Sequence, residues 1–124
     1  MMIKYLTREQ LMSNLLLGKS VEQWLTYEKE SDYTILKWVR IDKEKSLKYS
    51  VSYFESFDEG NEGFLDIYEF SLLDPDEPFG VISVFESVED ALSFAETKHS
   101  VSIDRFVPAG GIQDEYQNYL NTLD

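Results

Sequence analysis

The stretch YTILKWVRI, residues 33–41, alternates two sets of side chains, and this alternation decides the fold. Its odd positions hold Tyr, Ile, Lys, Val and Ile, and its even positions hold Thr, Leu, Trp and Arg. A period of two predicts a β-strand. The stretch LKYSVSYF, residues 47–54, alternates in the same way, and a polar turn at residues 42–46 separates the two runs. The pair therefore predicts a β-hairpin.

Two further turns follow this hairpin. Residues 58–63 contain two glycines and an asparagine, and residues 74–80 contain two prolines and a glycine, all of them turn-forming residues. The segments that these turns separate, residues 64–72 and 81–85, are predicted to be strands, so that the hairpin extends into a meander. The apolar run 81–85 is expected to lie at the centre of the sheet, and a last short strand is expected within residues 101–107.

Three helices are predicted around the meander. Thr7 and Gln10 have the spacing of a capping box at the start of the first, and Gly18 is a natural end for it. Ser87 is a good N-cap for a second helix, whose apolar residues recur at helical spacing. A third helix is predicted over residues 114–123.

Residues 20–28 fit either a strand or a helix, and the strand is favoured because Trp, Thr, Val and Tyr are enriched in strands. The sum is an α+β fold: an antiparallel meander sheet of four to five strands, packed by N-terminal, post-meander and C-terminal helices on one face. The length of 124 residues fits a single α+β domain, residues 1–124.

Composition restricts the compartment and the chemistry. The chain has no cysteine, which excludes disulfides, thiolate metal sites and cysteine nucleophiles. No stretch approaches the roughly 18–20 apolar residues that a membrane span needs. Polar residues from Thr7 onward interrupt the start too early for a signal peptide. We therefore expect a cytoplasmic protein that does not bind membranes.

The charge is unevenly distributed along the chain. The formal net charge is −13; residues 1–50 carry nine basic and seven acidic side chains, whereas residues 51–124 carry two basic and seventeen acidic ones. Such a field repels nucleic-acid phosphates and anionic membranes and attracts basic proteins. We expect a basic protein or a second copy of the chain as partner, and no double-stranded nucleic acid.

Few residues suggest catalysis. His99 is the only histidine, and neither a nucleophile elbow nor a glycine-rich oxyanion loop accompanies the nearby serines and aspartate. The glycine pair before the third helix offers amides to an anion, but acidic neighbours oppose a phosphate there. The acidic turns do not match the EF-hand spacing. We therefore predict a protein that is not an enzyme, with no catalytic residue, no metal site and no cofactor.

The function expected from this pattern is a non-catalytic, acidic protein-binding module. Its predicted contact residues are the carboxylates of two turns and two tyrosines of the last helix: Asp58, Glu59, Glu62, Asp74, Asp76, Glu77, Tyr116 and Tyr119. For the two tyrosines, docking of their helix onto the sheet is the favoured role, and contact with a partner is the alternative. The alternative functions are a self-associating structural or regulatory module, in which a basic hairpin meets acidic loops, and a small-ligand-binding protein.

In size, acidity and layout the chain is similar in type to small bacterial immunity or inhibitor proteins that neutralise basic toxins. This similarity assigns no residue, because no motif carries it.

Overall fold

A computed structural model describes residues 3–123. The elements follow one another along the chain as α1 (Arg8–Leu16), β1 (Val21–Lys29), β2 (Thr34–Lys43), β3 (Tyr49–Phe57), a 3₁₀ turn (Ile67–Glu69), β4 (Val81–Phe85), α2 (Val88–His99), a second 3₁₀ turn (Ile103–Arg105), β5 (Val107–Pro108) and α3 (Gly111–Asn121). Within the described residues, no helix combines the length and the apolar composition needed to cross a membrane.

The five strands form one antiparallel sheet in the order β4-β3-β2-β1-β5. The predicted hairpin is confirmed as β2 and β3, which pair without a register shift from Ile35 opposite Phe57 to Lys43 opposite Tyr49. The ambiguous segment is also a strand, β1, with one irregularity between Trp24 and Thr26. The predicted α+β meander is therefore the observed architecture.

The helix ends follow the capping signals in the sequence. The Thr7 hydroxyl accepts a hydrogen bond from the Gln10 amide at 3.1 Å, and the Gln10 side chain accepts from the Thr7 amide at 2.9 Å. Ser87 accepts from the amide of Asp90 at 3.1 Å at the start of α2. These contacts satisfy amide groups that the first turn of a helix leaves without partners.

The strand predicted over residues 64–72 is wrong. The segment holds a 3₁₀ turn, and a single bridge between Ser56 and Leu72 is its one strand-like contact with β3. Ile67 and Phe70, three residues apart, are both buried, and this spacing suits a tight turn that places both side chains on one side. The strand was predicted from the turns on either side of the segment, which do not reveal this spacing.

Two other strand predictions need correction. Residues 81–85 form a strand, β4, but it lies at the edge of the sheet because β3 is its one strand neighbour in the described structure. The strand expected within residues 101–107 reduces to β5, Val107 and Pro108, preceded by a 3₁₀ turn. Its proline is compatible with an edge position.

Helices cover both faces of the sheet, not one face as expected. On the first face, α1 and α2 pack against Val39, Ile41 and Val51. On the opposite face, α3 and the first 3₁₀ turn pack against Leu36 and Trp38. Residues 36 and 38 project from the face opposite to that of residues 39 and 41, so two separate apolar clusters form. We call these the α1–α2 face and the α3 face.

Candidate partner-binding surface

The acidic side chains are concentrated in the middle of the chain. Thirteen aspartates and glutamates lie between Tyr49 and Thr97, and this segment contains neither lysine nor arginine. It runs from β3 through the two loops and β4 into α2. The chain therefore supplies no cation from within this segment to neutralise its carboxylates.

Three of the five cations of the hairpin are engaged with acids outside the two loops. Lys37 contacts Glu28 and also lies 3.6 Å from Glu55, and Arg40 lies 2.8 Å from Glu22. The remaining ion pairs join Arg40 to Asp42 at 3.0 Å and Lys48 to Glu86 at 3.5 Å. Across residues 3–123, no ion pair reaches the six carboxylates predicted to contact a partner.

The first acidic loop has partly structural roles. Asp58 is half-buried and accepts a hydrogen bond from the phenol of Tyr116, while Glu59 accepts one from the amide of Ser71 at 2.5 Å. Burial and the contact with Asp58 raise the pKa of Tyr116 above its ordinary value of 10.0. Glu62 is exposed. Asp58 thus holds the loop to α3, and Glu62 faces solvent.

The second acidic loop presents its carboxylates together. Asp74, Asp76 and Glu77 are all exposed, and two successive turns fix them: Asp74 accepts from the amide of Asp76 at 2.9 Å, and its carbonyl accepts from the amide of Glu77 at 3.0 Å. The amide of Gly80 then bonds the carbonyl of Glu77, also at 3.0 Å. The loop therefore has a defined shape that ends directly at β4.

A shallow hollow of about 150 Å³ lies between this loop and the sheet. Three carboxylates line it, those of Glu55, Asp74 and Glu77, together with the Tyr53 ring and Val81. The Tyr53 hydroxyl donates to Glu55 at 2.8 Å, and burial raises the pKa of this phenol. Acidic residues of β3 and of the second loop therefore border the same hollow, and one of them, Glu55, also lies 3.6 Å from Lys37.

The apolar strand beside the hollow was not recognised as exposed from the sequence. Val81, Ile82 and Val84 are each about half exposed, and Phe79 in the preceding loop is 74% exposed. An uninterrupted apolar run is typical of a buried strand, which is why the sequence favoured a central position. Carboxylates and exposed apolar side chains therefore lie next to each other on this side of the molecule.

The two tyrosines of α3 lie in the interior. Tyr116 and Tyr119 are buried, and the Trp24 ring lies 5.3 Å from the Tyr119 ring and 6.5 Å from the Tyr116 ring, measured between centroids. Tyr119 also packs against Tyr27 at 4.8 Å. These rings dock α3 onto the sheet, so they do not belong to an exposed binding surface.

A buried ionic network escaped the sequence analysis. Glu22, in β1, is fully buried and accepts hydrogen bonds from Arg40 at 2.8 Å and from the Tyr68 hydroxyl at 2.6 Å. It also accepts from the amides of Gly110 at 2.9 Å and Ile112 at 3.3 Å, at the start of α3. The glycine pair was the available signal, since these amides do hold an anion, which is the chain's own carboxylate.

His99 lies at the end of α2 among aromatic rings. It stacks on Tyr53 with ring centroids 4.5 Å apart and meets Phe94 edge-on at 5.5 Å. Burial and the neighbouring Lys98 lower its pKa below 6.5. An open hollow of about 420 Å³ beside it is lined by the cations Lys37, Lys98 and Arg105. Of these, Lys37 is already paired with acids, and Arg105 donates to the Tyr5 hydroxyl at 3.0 Å.

Among residues 3–123, no three acidic or histidine side chains come together in a group suited to a metal ion. Comparison with known proteins gave no match, either to a family model, to a curated protein or to a solved structure.

Proposed function

We propose that the chain is a non-catalytic module that binds a basic protein through the acidic loop at residues 74–77 and the carboxylates around it. One observation carries this proposal: thirteen acids without a lysine or arginine occupy residues 49–97, and the described ion pairs leave the two loops without a cation. Charge complementarity of this kind accelerates encounter with an oppositely charged protein and selects against acidic partners.

The contacts of the hairpin cations favour a different protein, rather than a second copy of the chain, as the partner. Self-association of a basic hairpin with acidic loops requires free lysines and arginines, but Lys37, Arg40 and Lys48 each contact a carboxylate of the same molecule. Lys43 donates to the carbonyl of Leu16 at 2.7 Å, and the exposed Lys45 is the one hairpin cation without such a contact in the described structure. An inhibitor or immunity-type role, in which the acidic surface covers a basic target, is the form of binding that this arrangement best suits.

The experiment captures partners from the cells that encode the chain, using immobilised wild-type protein and a variant with Asp74→Asn, Asp76→Asn and Glu77→Gln. A control variant carries Glu89→Gln, Glu96→Gln and Asp104→Asn, which removes the same charge from exposed positions elsewhere. We expect wild type and control to retain a basic protein that the loop variant loses. The association rate of that protein should fall steeply as salt rises.

Two outcomes would contradict this proposal. The first is a partner that binds wild type and loop variant equally; the second is an association rate that does not depend on salt. An acidic captured protein would have the same meaning, because like charges repel.

A further inference from the structure

Strand β4 is an edge without the features that normally protect edges. It pairs with β3 residue for residue, from Tyr49 opposite Phe85 to Tyr53 opposite Val81, with no register shift. The strand Val81–Phe85 contains no charged residue and no proline. Natural sheets usually block such an edge with charges, prolines or bulges, because its free amide and carbonyl groups accept another strand. The opposite edge strand, β5, has two residues and ends in a proline.

The exposed side chains of β4 offer apolar contacts on both sides of the sheet. Ile82 and Val84 lie opposite Ser52 and Ser50 and project on the α3 face, and both are about half exposed. Val81 projects on the α1–α2 face and is exposed to a similar degree. A strand placed beside β4 would therefore cover apolar surface in addition to pairing with its backbone, as in β-augmentation.

Charge decides what kind of strand fits this edge. Glu77 precedes β4 by four residues and Glu86 follows it directly; Lys48 is the one cation paired with either in the described structure. If two copies paired about Ser83, Glu86 of each would lie opposite residue 80 of the other, three residues from Glu77. Like charges brought together in this way are unfavourable.

We infer that β4 accepts an extended, basic segment of the partner protein as a sixth strand of the sheet. Its lysine or arginine side chains reach the carboxylates at residues 74–77 and Glu86, and its apolar side chains cover Val81, Ile82 and Val84. This inference rests on the proposed function, which it makes specific: the loop supplies the charge, and the strand edge supplies the alignment.

The test uses a phage-displayed library of random ten-residue peptides selected on the full chain. We expect enrichment of sequences in which lysine or arginine alternates with β-branched residues. The best peptide is then synthesised in three forms: unmodified, with proline at its centre, and with alternate backbone nitrogens methylated. Addition of the unmodified peptide to ¹⁵N-labelled protein should shift the amide resonances of residues 81–85.

Protein variants separate the two parts of the inference: Asp74→Asn with Asp76→Asn and Glu77→Gln removes the loop charge, and a second variant alters β4. Ile82→Thr with Val84→Thr keeps the β-propensity but removes apolar contacts, and we expect it to weaken peptide binding by about tenfold. The control Leu17→Thr changes a side chain that is 70% exposed outside the sheet, and it should leave binding unchanged. Thermal melting of each variant confirms that it is folded.

The possible failures have different meanings. Basic peptides that bind wild type and the β4 variant equally, and bind equally well with proline or methylated nitrogens, would overturn strand pairing; if they still need the carboxylates at residues 74–77, the acidic-surface proposal remains intact. Enriched peptides without basic residues, whose binding needs β4 but not the carboxylates at residues 74–77, would overturn the proposed function. A library that yields no binding peptide, or a dimer that Ile82→Thr and Val84→Thr abolish, would overturn the inference of a basic foreign strand.

Discussion

Glu22 is a charged residue that stabilises the interior through four hydrogen bonds. Its carboxylate joins β2, the first 3₁₀ turn and the start of α3, at a position with no exposed surface. Its removal leaves three donors, the Tyr68 hydroxyl and the amides of Gly110 and Ile112, without their acceptor, at a combined cost of about 3–5 kcal/mol, whereas Arg40 keeps its ion pair with Asp42. We therefore expect Glu22→Ala to lower the free energy of unfolding by about that amount, measured by urea denaturation.

The isosteric change Glu22→Gln retains an acceptor, and we expect it to cost about 1–3 kcal/mol. The exposed control Glu62→Gln should change stability by less than about 0.5 kcal/mol. Equal stabilities of the Glu22→Gln and Glu62→Gln variants would show that the buried network contributes little.

Glu115 is the second buried acid, and it has fewer hydrogen-bond partners than Glu22. Tyr5 donates one hydrogen bond to it at 3.1 Å, and its other carboxylate oxygen has no hydrogen-bond partner among the described residues. Burial raises the pKa of Glu115 above its ordinary 4.5. Because the pKa is raised in the folded state, the side chain favours folding fully only below pH 4.5, and this contribution is lost as pH rises through the folded-state pKa.

Glu115→Gln should therefore raise the melting temperature at pH 7, where wild type buries a charge. The gain should shrink to nothing as the pH falls below about 4, where both proteins are neutral at this position. Circular dichroism melts between pH 3 and pH 8 provide the measurement, with Glu62→Gln as the exposed control. A variant less stable than wild type at pH 7 would contradict the assignment.

At the level of single residues, capping signals were the most predictable feature. Thr7, Gln10 and Ser87 act as their sequence context indicated, because a cap depends on a few neighbouring residues. The hydrogen bonds of Glu22 and Tyr116 were not predictable, since the partners of these side chains lie 18 to 90 positions away in the sequence.

At the level of elements, periodicity identified the hairpin but misplaced its neighbours. Segment 64–72 lies between two turns and was therefore predicted as a strand, yet its burial follows a three-residue spacing at Ile67 and Phe70. Residues 81–85 were predicted correctly as a strand, but the predicted central position was wrong. An apolar run does not indicate whether a second strand pairs with its other edge. The acidic loops were predicted correctly as turns. That their carboxylates have no cation partner depends on the ion pairs of the hairpin, which bind other acids and which the sequence does not show.

The loop after β3 provides a prediction at this scale. A Cβ added to Gly60 would lie 2.5 Å from the carbonyl oxygen of Phe64 and 2.7 Å from the hydroxyl of Tyr116, and it would also contact Phe70. Contacts below 3.0 Å force the surroundings to move. Gly60→Ala should therefore destabilise the fold by about 1–3 kcal/mol, the usual cost of overpacking.

The control for that variant is Gly63→Ala in the same loop. Its added Cβ would approach only the Asn61 side-chain oxygen, at 3.2 Å, and Asn61 is exposed. Denaturant unfolding of the two variants checks the prediction. A Gly60→Ala protein as stable as Gly63→Ala would mean that α3 does not pack closely on this loop.

For the whole molecule, the sequence predicted the fold class but not the coverage of both faces. Neighbouring residues of a strand point to opposite faces of the sheet, and β2 carries apolar side chains on both faces. Alternation alone therefore does not show which face each helix covers. Net charge was readable from composition, but its distribution in space depended on which acids the hairpin cations neutralise.

The net charge of −13 predicts how salt affects stability. Repulsion among unpaired carboxylates opposes the compact state, and ions screen it as the Debye length shortens. The melting temperature should rise by several degrees as NaCl increases from about 0.02 to 0.5 M, and it should rise less in the Asp74→Asn, Asp76→Asn, Glu77→Gln variant. A melting temperature that falls with salt would show that attractive pairs dominate.

The link between Glu22 and the start of α3 has a consequence for biosynthesis. The ribosome makes Glu22 some ninety residues before the amides of Gly110 and Ile112 that receive its carboxylate. Before those amides are made, only Arg40 and the Tyr68 hydroxyl, of the four groups that bond this carboxylate, are present to replace its hydration. We therefore expect this side of the first strand to close completely only after the segment around Gly110 has been synthesised.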